Sequence, residues 1–202
     1  LLLVLWYWAS RGISKPLRDL RNMAHLAESG ETFAGVKRGP AEVLQLSNNM
    51  KQLTDSLSYQ ATHDPLTHLM NRRAFDRRLL GYVQRAADEG EPHALCFIDL
   101  DRFKVINDTC GHAAGDELLQ QIARLVESNV RNSDLVARLG GDEFAVLLAG
   151  CDLSTALQIC NKIRRAIRDL KYITPDQVLG VTASIGVTMV DREIESMSDL
   201  LN

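Results

Sequence analysis

The apolar residues in the last two thirds of the chain follow two different patterns. Short unbroken apolar runs predict buried strands, and apolar positions that recur every three or four residues predict amphipathic helices. The predicted strands are 94–98, 135–139, 144–148 and 178–190, and the predicted helices are 113–129 and 154–170, the second capped by Ser154. Helices interspersed among the strands of one sheet are typical of an α/β or α+β domain.

Two of these strands are separated by a turn with unusual chemistry. Gly140, Gly141 and Asp142 stand between runs 135–139 and 144–148, which is a strong hairpin signal. Because glycine has no Cβ, a bulky phosphate-bearing ligand can approach such a backbone closely. The adjacent carboxylates of Asp142 and Glu143 repel each other unless a cation neutralises them.

A second acidic pair, Asp99 and Asp101, directly follows the predicted strand 94–98. A strand end holds its carboxylates rigidly, and hard divalent cations prefer such oxygen ligands. If the strands are neighbours, Asp99, Asp142 and Glu143 converge on a metal site, for which a nucleoside triphosphate with Mg²⁺ is the natural partner. Either acidic cluster alone also has the pattern of a solvated loop, so the interpretation depends on both together.

Two heptad-type helices are predicted before this domain, joined by a glycine-rich connector at residues 30–40. Their apolar positions are Ile13, Leu17, Leu20, Ala24 and Ala27 in the first, and Val43, Leu46, Met50, Leu53 and Leu57 in the second. Neither short helix can bury its apolar stripe alone, so we expect self-association into a parallel bundle. A monomeric helical hairpin is the alternative.

The first eight residues are apolar and end in Trp6, Tyr7 and Trp8, and four basic residues follow between positions 11 and 21. Aromatic residues and then positive charge are typical of the cytoplasmic end of a transmembrane helix, although a full span needs about 20 residues. We therefore expect a fragment of a longer membrane protein. The alternative is a disordered or core-packed N-terminus.

Charge and motif content exclude several classes of protein. The chain of 202 residues has a net charge of −3, divided into +2 over residues 1–60 and −5 over residues 61–202. It has no basic stripe of the kind that binds nucleic acid. It also has no Walker A loop, no H-E-x-x-H zinc motif and no C-x-x-C pair, so we expect its four cysteines to stay reduced.

Three spaced motifs closely resemble the GGDEF family of diguanylate cyclases. They are D-P-L-T-x-L-x-N-R at residues 64–72, D-L-D-x-F-K-x-x-N-D-x-x-G-H-x-x-G-D at residues 99–116, and R-L-G-G-D-E-F at residues 138–144. The resemblance implies a nucleotidyl-cyclase-like palm, an α/β (α+β) fold whose mostly antiparallel central sheet is flanked by helices. Residues 10–60 resemble a HAMP linker, the relay between transmembrane helices and cytoplasmic enzymes.

The family resemblance implies an enzyme that condenses two GTP molecules into cyclic di-GMP and releases pyrophosphate. It implies Mg²⁺ or Mn²⁺ held by Asp99, the carbonyl of Leu100, Asp142 and Glu143. Asp142 is the position usually proposed to deprotonate the attacking 3′-hydroxyl, although the metal also lowers the pKa of that hydroxyl. Asn107 and Asp116 would bond guanine, His112 would lie beside the nucleotide, and Lys104 would neutralise phosphate charge.

The resemblance also implies regulation by product and by dimerisation. Arg131 and Asp134 match the position of an inhibitory site that binds cyclic di-GMP, and the alternative for this pair is a surface salt bridge. One site holds one GTP, so two domains must face each other in a homodimer. The product site and the homodimer are both expectations at this stage.

The expected organisation is a membrane-helix end at 1–9, a HAMP-like segment at 10–60 and a C-terminally truncated GGDEF domain at 61–202. The truncation is expected because the family continues with a helix carrying a phosphate-binding Lys and Arg. His68 stands where the family usually has glycine.

We expect a bacterial inner-membrane protein with this domain in the cytoplasm. The alternative is a catalytically silent domain that binds GTP or cyclic di-GMP and regulates a partner or a phosphodiesterase domain.

Overall fold

This computed structural model describes residues 41–173 and 178–191. The chain divides into two compact units, one ending at Ala61 and the other beginning at Thr62, and each is described by itself. The expected membrane-helix end, the first heptad helix and its connector lie outside the described residues. Among the helices that the structure describes, none combines the length and the apolar content needed to cross a bilayer.

Helix α1 (Ala41–Thr62) confirms the second predicted heptad helix. Three of its leucines are largely exposed: Leu46 at 49%, Leu53 at 65% and Leu57 at 65%. Met50, from the same seam, is half-buried. Isolated helices of this length gain most of their stability from packing an apolar face. The seam therefore presents apolar side chains that a partner helix could cover.

The second unit is built on a five-stranded sheet in the order β1–β3–β4–β2–β7. The β1–β3 pair is parallel, and the other three pairs are antiparallel. A separate two-stranded sheet pairs β5 with β6. The strands are β1 (Met70–Asn71), β2 (His93–Asp101), β3 (Leu135–Gly140), β4 (Glu143–Leu148), β5 (Lys171–Ile173), β6 (Val178–Gly180) and β7 (Thr182–Val190).

Helices cover both faces of this sheet, as the predicted fold class requires. The helices are α2 (Arg72–Glu89), α3 (Phe103–Cys110), α4 (His112–Ser128) and α5 (Leu153–Asp169). Alternate residues of β2 enter different cores: Ile98 and Leu100 pack with the residues of α4 and α5, whereas Leu95 packs with Phe75 of α2. The central strand is therefore buried on both faces along most of its length. The predicted α/β architecture with a mostly antiparallel sheet is confirmed.

Three sequence predictions of element bounds need correction. Strand β2 runs on through Asp101, so Asp99 and Asp101 lie within the strand and not after it. The single strand predicted over 178–190 is two strands, because β7 pairs with β2 up to Thr182 opposite Asp101, where β2 ends. Residues before that point have no β2 partner, and β6 pairs with β5 instead.

The cap of helix α5 is the third correction. The predicted cap was Ser154, but the side chain of Asp152 accepts the backbone N–H of Thr155 at 2.8 Å. The Ser154 hydroxyl donates to Asp152 at 2.8 Å and so supports the cap from inside the helix. Asp and Ser are about equally favoured as helix caps, and Asp152 takes the position because it directly precedes the first helical residue, Leu153. These hydrogen bonds, first that of the Thr155 backbone, lower the pKa of Asp152.

His93 begins the central strand and is fully buried. Its Nδ1 accepts the backbone N–H of Gly150 at 3.0 Å, and its ring stands edge-on to the Tyr82 ring with centroids 5.1 Å apart. A ring nitrogen that accepts must be unprotonated, so Nε2 carries the hydrogen of the neutral imidazole. Burial opposes the charged form and lowers the pKa of His93.

We expect His93 to make the fold acid-sensitive. The pKa of His93 in the folded state lies below the ordinary histidine value. As pH falls below about 6.5, this histidine therefore binds a proton in the unfolded chain before it does so in the folded chain. The free energy of unfolding, measured by urea denaturation between about pH 5 and pH 7.5, should therefore decrease toward acid. In His93→Asn, which keeps an acceptor for Gly150, this part of the pH dependence should vanish. The exposed His112→Asn is the control, and an unchanged pH profile in His93→Asn would contradict the assignment.

Candidate active site

The pairing of β2 with β4 brings two acidic residues face to face. Asp99 and Glu143 are partners in the antiparallel register, so their side chains leave the same face of the sheet. Both are exposed. The carboxylate of Asp99 has no hydrogen-bond partner within the part of the chain that the structure describes. Two like charges directly opposite each other destabilise a sheet unless water or a cation separates them.

Asp101, two residues further along the same face, has a different role. Its carboxylate accepts hydrogen bonds from the hydroxyls of Thr182 at 2.5 Å and Ser184 at 2.8 Å. The Thr182 bond first, and the Ser184 bond next, lower the pKa of Asp101. This carboxylate therefore ties the end of β2 to β7. Of the two aspartates in this strand, Asp99 is the one available to a ligand.

The β3–β4 turn has the predicted hairpin form and an open backbone. Gly140 has φ 148° and Gly141 has φ 53°, which are conformations that residues with a side chain rarely adopt. A methyl group at either glycine would meet no atom within 4 Å. The backbone requires glycine at these positions for its conformation, and the space above the turn is free for a ligand. Asp142 sits in this turn and is half-buried.

Arg138 holds the turn in place from the preceding strand. Its Nε and Nη2 donate to the carbonyl of Gly141 at 3.0 and 2.8 Å, and its Nη1 donates to both oxygens of Asp64 at 3.0 and 3.2 Å. Asp64 also accepts the backbone N–H and the hydroxyl of Thr67. Partial burial opposes the ionised form, but the bonds from Thr67 and Arg138 hold the pKa of Asp64 below its ordinary value.

The donors present fit a magnesium ion held partly by the protein. Mg²⁺ prefers carboxylate oxygens and usually keeps several waters or shares substrate phosphates. Asp99 and Glu143 supply two carboxylates, and the carbonyl of Leu100 adjoins them in the strand. Within residues 41–173 and 178–191, no three His, Cys, Asp or Glu side chains gather around one point. The carboxylates of Asp99, Asp142 and Glu143 therefore do not all gather around one point in the described residues, and their predicted metal roles stay predictions.

Two cavities open beside Asp99. One of about 530 Å³ is lined by Arg72, Phe97, Asp99, Leu139, Glu143 and Ser184. The other, of about 770 Å³, is lined by Asp99, Asp101, Arg102, Val105, Ile106 and Thr182. Either volume is within the range of a small-molecule site. The Asp99 carboxylate can therefore be reached from both sides of the strand end.

The residues expected to hold guanine lie on two consecutive helices. Asn107 is half-buried near the end of α3, and Asp116 is exposed in the second turn of α4. The backbone N–H of Gly111 donates to the Asn107 carbonyl at 2.9 Å and closes the first helix. His112 begins α4, and Lys104 lies in the first turn of α3; both are exposed. The two helices thus carry all four side chains, with His112 at their junction and Lys104 at the far end of α3.

Comparison with known proteins decides the family. The family described as "Diguanylate cyclase, GGDEF domain" matches residues 61–202. This chain belongs to the GGDEF family. Among curated relatives, it is 42% identical over 171 residues to the probable diguanylate cyclase DgcE of Escherichia coli K12, covering 85% of this chain and 16% of that protein. It is 38% identical to the diguanylate cyclase TpbB of Pseudomonas aeruginosa, covering 95% of this chain and 48% of that protein.

Solved structures support the same fold. The isolated GGDEF domain of TpbB from Pseudomonas aeruginosa aligns with a TM-score of 0.60 at 44% identity, covering 63% of this chain and 74% of that one. The coiled coil and GGDEF domain of DgcB from Caulobacter crescentus, in complex with c-di-GMP, aligns with a TM-score of 0.71 at 26% identity, covering 88% and 87%. The chain spans half or less of the length of the two curated relatives.

Arg131 and Asp134 occupy the turn between α4 and β3 of the GGDEF domain. Asp134 accepts the backbone N–H of Arg131 at 2.8 Å and that of Ala149 at 3.1 Å. The Arg131 side chain is exposed, and within the described residues its guanidinium makes no ion pair. The surface-salt-bridge alternative therefore does not describe this pair. Arg131 and Asp134 together line two cavities of about 290 and 150 Å³.

Sequence reasoning missed the Asp64–Arg138 ion pair, although both residues stand in motifs that it quoted. They are 74 positions apart, and no local pattern pairs an acid with a base at that distance. It also left the geometry of the loop at His68 open, because the family usually has glycine there. His68 adopts φ 62°, the glycine-like conformation, and its N–H donates to the Asp64 carbonyl at 2.9 Å. The turn is thus kept with a non-glycine residue in a strained conformation.

We expect Arg138 to order the GGDEF turn. In Arg138→Met, which keeps the length of the side chain and loses every donor, the amides of residues 139–143 should exchange with solvent at least about tenfold faster, because the carbonyl of Gly141 loses its anchor. Hydrogen exchange read by mass spectrometry measures this. Arg168→Met is the control, since its ion pair with Asp169 is solvent-exposed. Unchanged exchange in Arg138→Met would mean that the turn orders itself.

Proposed function

We propose that this GGDEF domain is a catalytically active diguanylate cyclase that condenses two GTP molecules into cyclic di-GMP. The observation that carries the proposal is the position of Asp99 opposite Glu143, both exposed, where both line one cavity and Asp99 also lines a second. Carboxylates in direct opposition are what a divalent cation and its triphosphate neutralise. The pair therefore favours a domain that binds a cation together with a nucleoside triphosphate.

The proposed reaction is two nucleotidyl transfers. In each, the 3′-oxygen of one GTP attacks the α-phosphorus of the other, the 3′-hydroxyl proton leaves, and the bond to pyrophosphate breaks. Mg²⁺ would be held by Asp99, Glu143 and the Leu100 carbonyl, and Asp142 in the β3–β4 turn would be a further ligand. The ion would stabilise negative charge at the phosphates. Mn²⁺ is an alternative ion with the same preference for oxygen.

The protein side chains orient the substrate in this proposal. Asn107 and Asp116 bond the guanine, His112 lies beside the nucleotide, and Lys104 offsets phosphate charge. Asp116 can accept hydrogen bonds from the N1–H and amino group of guanine, which adenine cannot offer in that arrangement. Asp142 is the carboxylate that we assign to take the 3′-hydroxyl proton. Holding the 3′-oxygen in line with the α-phosphorus supplies much of the rate enhancement.

The stoichiometry requires two domains, so we propose a homodimer. One site holds one GTP, and the α1 helix offers Leu46, Leu53 and Leu57 as an exposed apolar seam. Pairing of two such seams would bring two GGDEF domains together and make activity depend on association.

We further propose that residues 1–60 belong to a membrane exit and a HAMP-like relay of a bacterial inner-membrane protein, with this domain in the cytoplasm. The support is the aromatic and basic pattern of the first 21 residues.

A silent GGDEF domain is the second candidate function. Such a domain would bind GTP or cyclic di-GMP and regulate a partner or an attached phosphodiesterase domain. The intact residues 140–144 favour the enzyme, because loss of an acidic residue in this turn is the usual route to a silent domain. Turnover measurements separate the two functions directly.

We expect the purified full-length protein to convert GTP with Mg²⁺ into cyclic di-GMP and pyrophosphate, and to leave ATP unchanged, as measured by chromatography of the reaction mixture. Asp99→Asn, Glu143→Gln and Asp142→Asn should each lower turnover about a hundredfold or more, because each removes charge that acts in the transition state. Asp169→Asn, at the exposed end of α5, is the control and should retain full activity.

Two outcomes would count against the enzyme. Formation of no dinucleotide at any enzyme concentration would leave the binding function as the better description. Retention of more than about a tenth of the activity in Asp99→Asn, a loss under about 1.4 kcal/mol, would remove that residue from the site.

Specific activity should also rise with enzyme concentration at high dilution, because the active species is a dimer.

We expect product inhibition through Arg131. A guanidinium can bond guanine and phosphate in a fixed fork, so cyclic di-GMP at this exposed turn could hold two domains apart without competing for GTP. Arg131→Ala should raise the product concentration needed for half inhibition about tenfold or more and leave the initial rate unchanged. Initial rates against added cyclic di-GMP at two GTP concentrations measure this, with the exposed Arg124→Ala as control. Inhibition that disappears at high GTP would identify competition at the active site instead.

A further inference from the structure

Gly115 in the first turns of α4 is buried, and its missing side chain leaves the space that Asn107 occupies. A methyl group at this position would lie 2.0 Å from Asn107 Oδ1 and 3.0 Å from Asn107 Cγ. No side chain tolerates an oxygen at 2.0 Å from a methyl carbon, because interiors are packed at van der Waals contact. The carboxamide of Asn107 therefore lies directly against the backbone of α4.

Backbone conformation does not explain this glycine. Gly115 lies inside a regular helix, and its N–H donates to the Gly111 carbonyl at 3.3 Å. Every residue type can adopt that conformation, and glycine is among the least favourable residues in a helix interior. Gly81 in α2 offers a comparison, because a methyl group there meets no atom within 4 Å. What distinguishes Gly115 is the side chain of Asn107 beside it.

We propose that Gly115 is a positioning residue that sets the Asn107 carboxamide for guanine recognition. The inference rests on the proposed function, in which Asn107 and Asp116 bond the base. Asn107 lies in the second turn of α3 and Asp116 follows Gly115 in α4, so the closeness of the two helices at Gly115 sets the spacing of the two polar groups. Gly115 itself touches no substrate atom.

The packing around Gly115 determines which neighbouring side chain moves when alanine replaces this glycine. Phe103 Cζ is the third near atom, at 3.1 Å, and Phe103 is 7% exposed in the main core. A packed aromatic ring moves less readily than the free end of a short polar side chain. Alanine at 115 should therefore rotate the carboxamide of Asn107 away from its present orientation. The fold should change little, and the affinity for the base should fall.

The test is a double-mutant cycle in the full-length protein with Gly115→Ala, Asn107→Ala and the double variant. Binding of a non-cleavable α,β-methylene analogue of GTP is measured by calorimetry, alongside kcat, KM for GTP and the melting temperature. Gly115→Ala should weaken binding and raise KM about tenfold or more, as expected when a site built to bond a polar ligand loses a partner. Its kcat and melting temperature should stay close to those of the parent. Gly81→Ala is the matched control and should bind normally.

The coupling between the two positions decides the proposal. Once Asn107 is alanine, the two nearest atoms that a methyl group at 115 would strike are gone and only Phe103 Cζ remains close, so Gly115→Ala should weaken binding less than about twofold further. Additive losses in the double variant would overturn the proposal. So would a binding defect in Gly115→Ala that scales with a lowered melting temperature, because that is the result of disturbed packing alone.

Two further results distinguish this inference from the proposed function. If Asn107→Ala binds the GTP analogue normally, the assumed guanine contact fails, and the role of Gly115 fails with it. If Asn107→Ala binds weakly but Gly115→Ala binds normally, the guanine contact stands and the role of Gly115 is overturned. Should Gly115→Ala fail to fold, refolding of the double variant would support the contact with Asn107. Failure of both variants to fold would overturn it.

Discussion

The antiparallel pairing of β2 with β4 is the constraint on which the acidic half of the candidate site depends. The same register that sets Asp99 opposite Glu143 also sets Leu95 opposite Leu147 and Ile98 opposite Phe144 in the two cores. A slip of one residue would turn every side chain of β2 to the other face. The apolar residues of the strand thus fix the position of its acidic end, and the energy of core packing keeps the two carboxylates together despite their repulsion.

That repulsion is confined to the rim of the sheet, where solvent can screen it. The neighbouring acids have protein partners: Asp101 accepts hydrogen bonds from two hydroxyl donors of β7, and Asp64 forms an ion pair with Arg138. Among these four carboxylates, Asp99 and Glu143 are the two that accept no hydrogen bond within the part of the chain that the structure describes. An opposed pair of carboxylates without protein donors is expected of a site that a cation completes.

Hydrophobic pattern and turn chemistry were enough to predict the hairpin, helix α4 and the fold class, because these signals are local, whereas the roles of the site residues came from the family resemblance and stay predictions. The sequence could not predict where β2 ends, since Asp99 and Asp101 resemble loop residues until their partners in β4 and β7 are known. The break between β6 and β7 was missed for the same reason. It depends on the length of β2, while the strand-like composition continues across it. The ion pair of Asp64 with Arg138 and the contact of Gly115 with Asn107 are likewise tertiary.

Substitutions affect the two halves of the candidate site in different ways. The acidic half is carried by strands whose side chains are locked by burial on both faces, so a change in the core alters the fold before it alters the carboxylates. In the proposed function, the half that would hold guanine is carried by α3 and α4, where the small buried Gly115 faces the free end of the Asn107 side chain. We expect a methyl group at 115 to shift that side chain more than the packed ring of Phe103. Under the same proposal, substitutions in α4 can change selectivity for the base without affecting the acidic half, so the two properties can diverge within one fold.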